Sequence, residues 1–174
     1  MISTQYFEST PDYYHNFLRK LKSENIISEL NRSKEFTHTI FSNIPSDKEN
    51  YAYAEGKWTI KEVLSHLVDS ERLMAYRAFR FSKLDNTSVA RFDENAYVSN
   101  ANIAHLSIAQ LLEEYELVRD TTIMLFKRLS ENALNFKGQV GDFQLSAKEI
   151  GFILIGHNLH HCEIVLERYG IQNA

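Results

Sequence analysis

Three stretches of this sequence combine the start signal and the apolar spacing of a long helix, and together they restrict the fold more than any other feature. Each begins at a hydroxyl residue, Thr59, Ser107 or Ser146, which is followed three positions later by Glu or Gln. This pattern is typical of the capping box, in which the two side chains satisfy free backbone N–H groups of the first helical turn. Apolar residues then recur at steps of three and four, which favours an amphipathic helix with one buried face. The clearest such stripe runs through Ile108, Leu111, Tyr115, Val118, Thr122, Leu125 and Leu129.

The rest of the chain extends this helical pattern. A looser apolar stripe from about Glu24 to Ile44 predicts another long helix, and the segment from Pro11 to Leu21 predicts a short one before it. The sequence has only six glycines and two prolines, which favours long uninterrupted helices. We expect a long loop from Asn86 to Ala104 and a small hairpin or open turn from Lys137 to Gln144. The predicted fold is all-α, a four-helix bundle with long crossover connections and a short extra N-terminal helix, in a single domain over residues 1–174.

Charge and composition exclude several classes of function. The net charge of −4 provides no basic surface for nucleic acid, so we expect no nucleic-acid partner. No segment approaches the roughly 20 apolar residues that span a bilayer, and the start shows no signal peptide. The single cysteine, Cys162, excludes an internal disulfide framework and fits a reducing compartment. The sequence therefore predicts a cytoplasmic protein without a membrane association.

Two histidines, His157 and His161, lie four residues apart on the closing predicted helix and therefore project in the same direction. His157 shares a stripe with Ile150 and Ile164, and His161 shares the adjacent stripe with Leu154, so both occupy core positions. Burying an imidazole without a partner costs on the order of 1–3 kcal/mol. Two interpretations follow: the pair binds a metal ion, or it hydrogen-bonds to buried acids, tyrosines or backbone carbonyls.

A third histidine, His66, lies on a separate predicted helix and can complete a three-nitrogen site with an open coordination position. Neutral imidazoles suit Zn²⁺, Ni²⁺ or Fe²⁺, among which the sequence does not choose. Asp69 and Glu62 can accept the second ring N–H of a ligating histidine, although Asp69 can equally pair with Arg72 at an exposed face. His160 is offset by about 100° from its neighbour, so we expect it to flank the site.

Three motifs carry a family resemblance. The first places a tryptophan eight residues before His66, and the last closes on the histidine pair. Their extents are Tyr53–Glu71, Tyr76–Arg80 together with Phe92–Tyr97, and Gly156–Glu163. In order and spacing they resemble the DinB-like superfamily of metal-binding four-helix bundles, which includes YfiT-type hydrolases and bacterial thiol transferases. The resemblance implies that His66, His157 and His161 are the metal ligands, that the helix order is unusual, and that the protein forms a homodimer.

Other side chains are candidates for catalysis or substrate binding. Asp93, Glu94 and Tyr97, in the predicted long loop, are candidate acids or bases, and the alternative is that Asp93 caps a turn and Tyr97 packs against a helix. Arg77 and Arg80 can bind an anionic substrate or thiol carboxylate, or can form an ordinary solvated helix face.

Three hypotheses of function follow from these features. The first is a metal-dependent enzyme, either a thiol S-transferase or a hydrolase, which acts on a small molecule in stress response or detoxification. A low-molecular-weight thiol is one candidate substrate. The second is a non-catalytic module that binds a metal or a small molecule, and the third is a structural bundle whose histidines are only hydrogen-bonded.

Overall fold

The computed structural model describes residues 2–171, and within that range the chain forms α-helices and one small hairpin. The helices are α1 (Thr4–Ser9), α2 (His15–Leu18), α3 (Ile26–Phe41), α4 (Ile60–Ser82), α5 (Glu94–Ser99), α6 (Ile108–Lys127), α7 (Glu131–Asn135) and α8 (Ala147–Arg168). The hairpin consists of β1 (Lys137–Val140) and β2 (Phe143–Ser146), and short 3₁₀ turns cover Asp12–Tyr14 and Ser46–Lys48. The all-α prediction is confirmed.

The long helices begin where the sequence predicts. Thr59, Ser107 and Ser146 each accept a hydrogen bond from the backbone N–H three positions on, and the side chain at that position accepts one in return from the capping residue's N–H. α3 begins instead at Asn25, whose side chain accepts from the N–H of Ser28. These caps satisfy backbone groups that no helical bond can reach, which fixes the start of each helix.

The four long helices pack in a ring whose order differs from their order in the chain. α3 packs against α6 and α8, and α4 packs against the same two helices. α3 and α4 therefore lie diagonally across the bundle, as do α6 and α8. This is the unusual helix order that the family resemblance implies, and it requires crossover connections.

Each long helix changes its apolar neighbours near its middle. At one end of α3, Leu30 belongs to one apolar cluster, and at the other end Ile40 and Phe41 belong to a second cluster. α4, α6 and α8 divide in the same way. Buried polar side chains lie between the two apolar clusters; among them are Ser33, Thr37, Ser70, Glu71, Arg119, Thr122, His157 and Asn158. The bundle thus contains a polar layer at mid-height.

The N-terminal prediction is wrong in extent. The segment predicted as one helix from Pro11 to Leu21 is a 3₁₀ turn followed by the single turn of α2. The predicted stripe of Tyr14, Phe17, Leu18 and Leu21 is still buried or half-buried. However, α2 packs so closely on α8 that a Cβ at Gly156 would overlap the backbone carbonyl of Phe17. This tertiary contact, which the periodicity of the segment does not contain, sets the path of the chain.

The predicted long loop and the predicted hairpin lie together. The loop contains α5, and Val89 forms a parallel bridge with Val140 of β1. The hairpin turns at Gly141, which has a positive φ of 55°, a conformation that glycine adopts without strain. None of the helices formed by the described residues combines the length and the apolar character needed to cross a membrane.

Candidate metal centre

Three imidazoles converge where α4 packs against α8. The Nε2 atom of His157 lies 3.0 Å from Nε2 of His66 and 3.1 Å from Nε2 of His161. One ring nitrogen from each residue falls within 4.8 Å of the other two. A tetrahedral ion with Zn–N bonds of about 2.0–2.1 Å holds its nitrogen ligands roughly 3.3 Å apart, so the observed spacing suits a divalent cation.

The histidines are held in the neutral form. His66 is 2% exposed and His157 8% exposed. Burial lowers the pKa of His66 to about 4. Burial also places the pKa of His157 and of His161 well below the usual value, and the neighbouring histidines lower both further. A neutral imidazole retains the lone pair that metal binding requires.

Hydrogen bonds among the three rings do not satisfy all three nitrogens. Nε2 of a neutral imidazole carries either one hydrogen or one lone pair. Nε2 of His157 contacts both of the other rings, so it can complete one of the two contacts as an ordinary hydrogen bond. A cation would accept all three lone pairs at once, which is why this donor set fits a metal ion better than a hydrogen-bonded cluster.

Aromatic side chains fix the orientation of the rings. Trp58, which precedes α4, packs on His66 with ring centroids 4.7 Å apart. Phe17 of α2 meets His157 edge to face at 5.5 Å. His160 is half-buried at the flank of the cluster, where its ring centroid lies 5.4 Å from that of Phe17. Its offset on α8 predicts this position.

The acids on α4 that were candidates for supporting the ligands have other partners. Glu62 closes the capping box of α4, where its carboxylate accepts hydrogen bonds from Thr59. Asp69 lies 3.8 Å from Arg72, which is the ordinary alternative that the sequence leaves open. A hydroxyl is closer to the cluster: Oγ of Ser70 lies 3.4 Å from Nε2 of His66.

The three loop candidates lie in different surroundings. Oε2 of Glu94 lies 4.0 Å from Nε2 of His66. Asp93 caps α5, because its Oδ1 accepts hydrogen bonds from two backbone N–H groups of that helix. Tyr97 is exposed and borders a separate surface depression beside Asp69. The structure thus brings Glu94 to the histidines, and a catalytic role for Asp93 and Tyr97 stays a prediction.

A cleft of about 480 Å³ opens beside His157. This volume falls within the range of small-molecule binding sites. Its polar lining comprises Ser70, Arg77, Arg91 and Glu94, and its aromatic lining comprises Tyr13, Tyr14, Phe17, Phe92 and Phe143. The cleft therefore leads from the surface to the histidine cluster.

Of the two candidate arginines of α4, only Arg77 lines this cleft. Arg77 lines it and donates a hydrogen bond from Nη2 to the carbonyl of Ala90 at 2.7 Å. Arg80 is paired with Asp85 at 2.6 Å, as its ordinary interpretation predicts. Sequence reasoning missed Arg91 as an individual candidate, although the polar-aromatic stretch that begins at Arg91 was a visible signal.

Comparison with known proteins places these features in context. The family model for the DinB superfamily matches residues 29–165. YfiT from Bacillus subtilis, described as a probable metal-dependent hydrolase with an unusual four-helix bundle topology, is similar with a TM-score of 0.74 and 18% identity over 84% of this chain and 87% of that chain. A mycothiol-dependent maleylpyruvate isomerase is similar with a TM-score of 0.68 and 13% identity, over 84% of this chain and 61% of that chain. At these identities the similarity shows the fold alone. No curated protein sequence gives a significant match.

Proposed function

This chain belongs to the DinB superfamily, and on that premise we propose that it is a metal-dependent enzyme acting on a small molecule, with His66, His157 and His161 as the metal ligands. One observation carries the proposal: three neutral imidazoles, two buried and one half-buried, converge at the inner wall of a cleft that a small molecule can enter. His157 belongs to both the cluster and the cleft lining. A structural metal site is closed by its ligands, whereas a catalytic site keeps one position open to substrate.

The residues around the cluster have separate roles in this proposal. A divalent cation, such as Zn²⁺, Ni²⁺ or Fe²⁺, supplies Lewis acidity and lowers the pKa of a bound water or thiol. Glu94 is positioned to accept the proton that the nucleophile releases, because its carboxylate lies 4.0 Å from the ring of His66 and lines the cleft. Ser70 lies one turn after His66 on the same face of α4 and lines the cleft, so its hydroxyl can hydrogen-bond to the reacting group. Trp58 and Phe17 hold the rings and keep bulk water from their sides.

Two reaction classes use this arrangement. Hydrolysis needs a deprotonated water, and thiol transfer needs a thiolate, so the same residues serve both. One structural neighbour is described as a probable metal-dependent hydrolase, which supports hydrolysis, and the other as a mycothiol-dependent maleylpyruvate isomerase, which supports the use of a thiol. A role in stress response or detoxification, a cytoplasmic location, a homodimer and a single domain belong to this proposal as predictions.

Metal content provides the first test. Untagged protein incubated with Zn²⁺, Ni²⁺ or Fe²⁺ and then desalted should retain about one ion per chain by elemental mass spectrometry. His157→Ala should lose this stoichiometry, because it removes the central nitrogen of the cluster. His160→Ala is the matched control, since it removes an imidazole from the same helix at the flank. Wild-type protein that binds no ion, or His157→Ala that binds a full equivalent, would refute the assignment.

Turnover distinguishes an enzyme from a binding module. Metal-loaded protein should conjugate a thiol to a model electrophile, or hydrolyse model esters or amides, and chelation should abolish the activity. Glu94→Gln should lower kcat by about 10²- to 10⁴-fold without changing metal content, because it removes the proton acceptor and keeps the shape. Metal-loaded protein without turnover in either assay would favour the non-catalytic binding module.

A further inference from the structure

Two arginines in the cleft have no acidic partner. Among residues 2–171, the arginine ion pairs use Arg32, Arg72, Arg80 and Arg119. Arg77 and Arg91 form none, although both line the cleft. Arg80 lies one turn further along α4 and is paired with Asp85 at 2.6 Å. Arg77 and Arg91 thus bring two positive charges to the cleft that no salt bridge neutralises, whereas the next arginine on α4 has its own acid.

The two guanidinium groups are held at the same part of the cleft. Arg77 donates to the carbonyl of Ala90, the residue that directly precedes Arg91. Its guanidinium carbon lies 5.8 Å from the ring centroid of Phe92. The guanidinium carbon of Arg91 lies 5.2 Å from the ring centroid of Phe143. Aromatic faces support both cations and leave their N–H groups available for an anion.

The positive charge of Arg77 is destabilised when the cleft holds no anion. Burial lowers the pKa of Arg77; Tyr14 and Tyr13 partly oppose this, and the nearby charge of Arg91 lowers the pKa further. A bound anion would offset both effects. Arginine also presents parallel N–H groups that match the two oxygens of a carboxylate or phosphate.

An apolar wall extends through the cleft from the arginines toward the histidines. Phe17, Phe92 and Phe143 form the aromatic wall, and Met74 and Val140 add aliphatic surface. Phe17 is also the residue that meets His157 edge to face at 5.5 Å. A molecule lying on this wall would have one end near the arginines and the other near the metal centre.

The geometry points to a substrate class: an amphipathic small molecule whose carboxylate or phosphate binds Arg77 and Arg91 while its apolar body lies on the aromatic wall and its reactive end faces His157 and Glu94. This assignment rests on the proposed function for the identity of the reactive end. The anion site itself is a property of the cleft and is measurable without turnover.

Calorimetry on chelator-treated protein tests the anion site separately from the metal. The probes are 4-phenylbutyrate, phenyl phosphate and the neutral 4-phenylbutyramide. We expect the anions to bind and the amide to bind at least about tenfold more weakly, because a charge-assisted hydrogen bond contributes about 1.5–3 kcal/mol. The preference between the first two probes identifies the anionic group as carboxylate or phosphate. Equal binding of the carboxylate and the amide would overturn the assignment.

Variants localise the site. Arg77→Met and Arg91→Met should each weaken anion binding by about 10- to 100-fold. Arg77→Lys keeps the charge without the paired N–H groups and should give an intermediate affinity. Arg80→Met is the matched control on the same helix and should bind like the wild type. Unchanged binding by Arg77→Met with a native thermal melt, or an equal loss in Arg80→Met, would refute the site.

The metal dependence of binding separates the two proposals. If the anions bind metal-free protein and no turnover is found, the anion site stands and the proposed function fails. If the anions bind only after metal loading, they are ligands of the cation, and the arginine site is refuted while the metal centre stands. Turnover combined with equal kcat/KM for charged and neutral model substrates would support the proposed enzymatic function and overturn the substrate class.

Discussion

The ion pair between Glu71 and Arg119 provides a test of how burial determines the contribution of a charge to the free energy of unfolding. Arg119 is fully buried and Glu71 is 2% exposed. Nε and Nη2 of Arg119 donate to the two carboxylate oxygens of Glu71 at 2.6 and 2.7 Å. Nη1 donates to the carbonyl of Leu30 at 3.1 Å and to the hydroxyl of Ser33. The pair therefore joins α3, α4 and α6 through the polar layer of the bundle.

Glu71→Gln should destabilise the protein by about 3–5 kcal/mol, because it leaves a buried guanidinium without its counter-charge. Burial acts to lower the pKa of Arg119, but Glu71 more than offsets this effect and the pKa is raised above its usual range. The variant loses this effect of Glu71, but arginine is so strongly basic that the guanidinium stays charged and bears the full cost of burial. For a domain of this size, 1 kcal/mol shifts Tm by about 2–4 °C, so we expect a decrease of roughly 6–20 °C. Urea unfolding and thermal melts in chelator measure this loss without the contribution of bound metal.

An exposed pair with the same bond length is the control. Arg72 and Glu114 are also 2.6 Å apart, but their side chains are 50% and 38% exposed. Glu114→Gln should cost no more than about 1 kcal/mol, because water screens both charges. The double variant Glu71→Leu with Arg119→Met should recover most of the stability lost in Glu71→Gln, since it removes both buried charges. Equal losses in Glu71→Gln and Glu114→Gln would refute the reasoning from burial.

Three further predictions concern the site and its surroundings. Zn²⁺ at about 100 times its Kd should stabilise the wild type and the His160→Ala control by roughly 2.7 kcal/mol, which corresponds to a Tm increase of about 5–11 °C. An equal increase in His157→Ala would contradict the ligand assignment. Gly156→Ala should lower Tm, since the overlap of its Cβ with the backbone of Phe17 outweighs the gain of about 1 kcal/mol in helix propensity, and a higher Tm would show that α2 moves freely. The thiol of Cys162 should resist aromatic disulfide reagents at pH 8 until the protein unfolds, and rapid labelling of native protein would contradict its burial. Burial raises the pKa of this thiol from 9.0 to about 12. Between these pH values the thiol is ionised in the unfolded chain and protonated in the folded chain, so the thiol's contribution to stability should fall as pH rises, as measured by urea unfolding.

The parts of the fold that the sequence predicted depend on short-range interactions. A capping box joins residues three apart, so Thr59, Ser107 and Ser146 identify their helices without information from the rest of the chain. The spacing of His157 and His161 likewise fixes their common direction on α8. The sequence stripes also predicted that both positions face inward. His66 was available as a third histidine, and the family resemblance named it as the partner of the pair.

The prediction was less accurate where a helix buries charge. The stripe on α6 predicts Val118 in the core, but Val118 is half-buried and Arg119 is fully buried. A stripe counted from apolar residues alone omits an arginine whose partner, Glu71, lies 48 residues away. The buried position of Arg119 is stable because of that partner, and the partner is visible only in the folded structure.

The sequence by itself determined the four long helices, the starts of the three with a capping box and the two histidines of one helix, because neighbouring residues along the chain decide these features. The tertiary structure decided that α3 and α4 lie diagonally, that Glu94 approaches His66 while Asp93 caps α5, and that Arg77 and Arg91 line the same cleft. Each of these depends on contacts between segments far apart in the chain. Such contacts form only when the apolar faces and the buried polar groups of all four long helices are satisfied together, and no single segment contains that information.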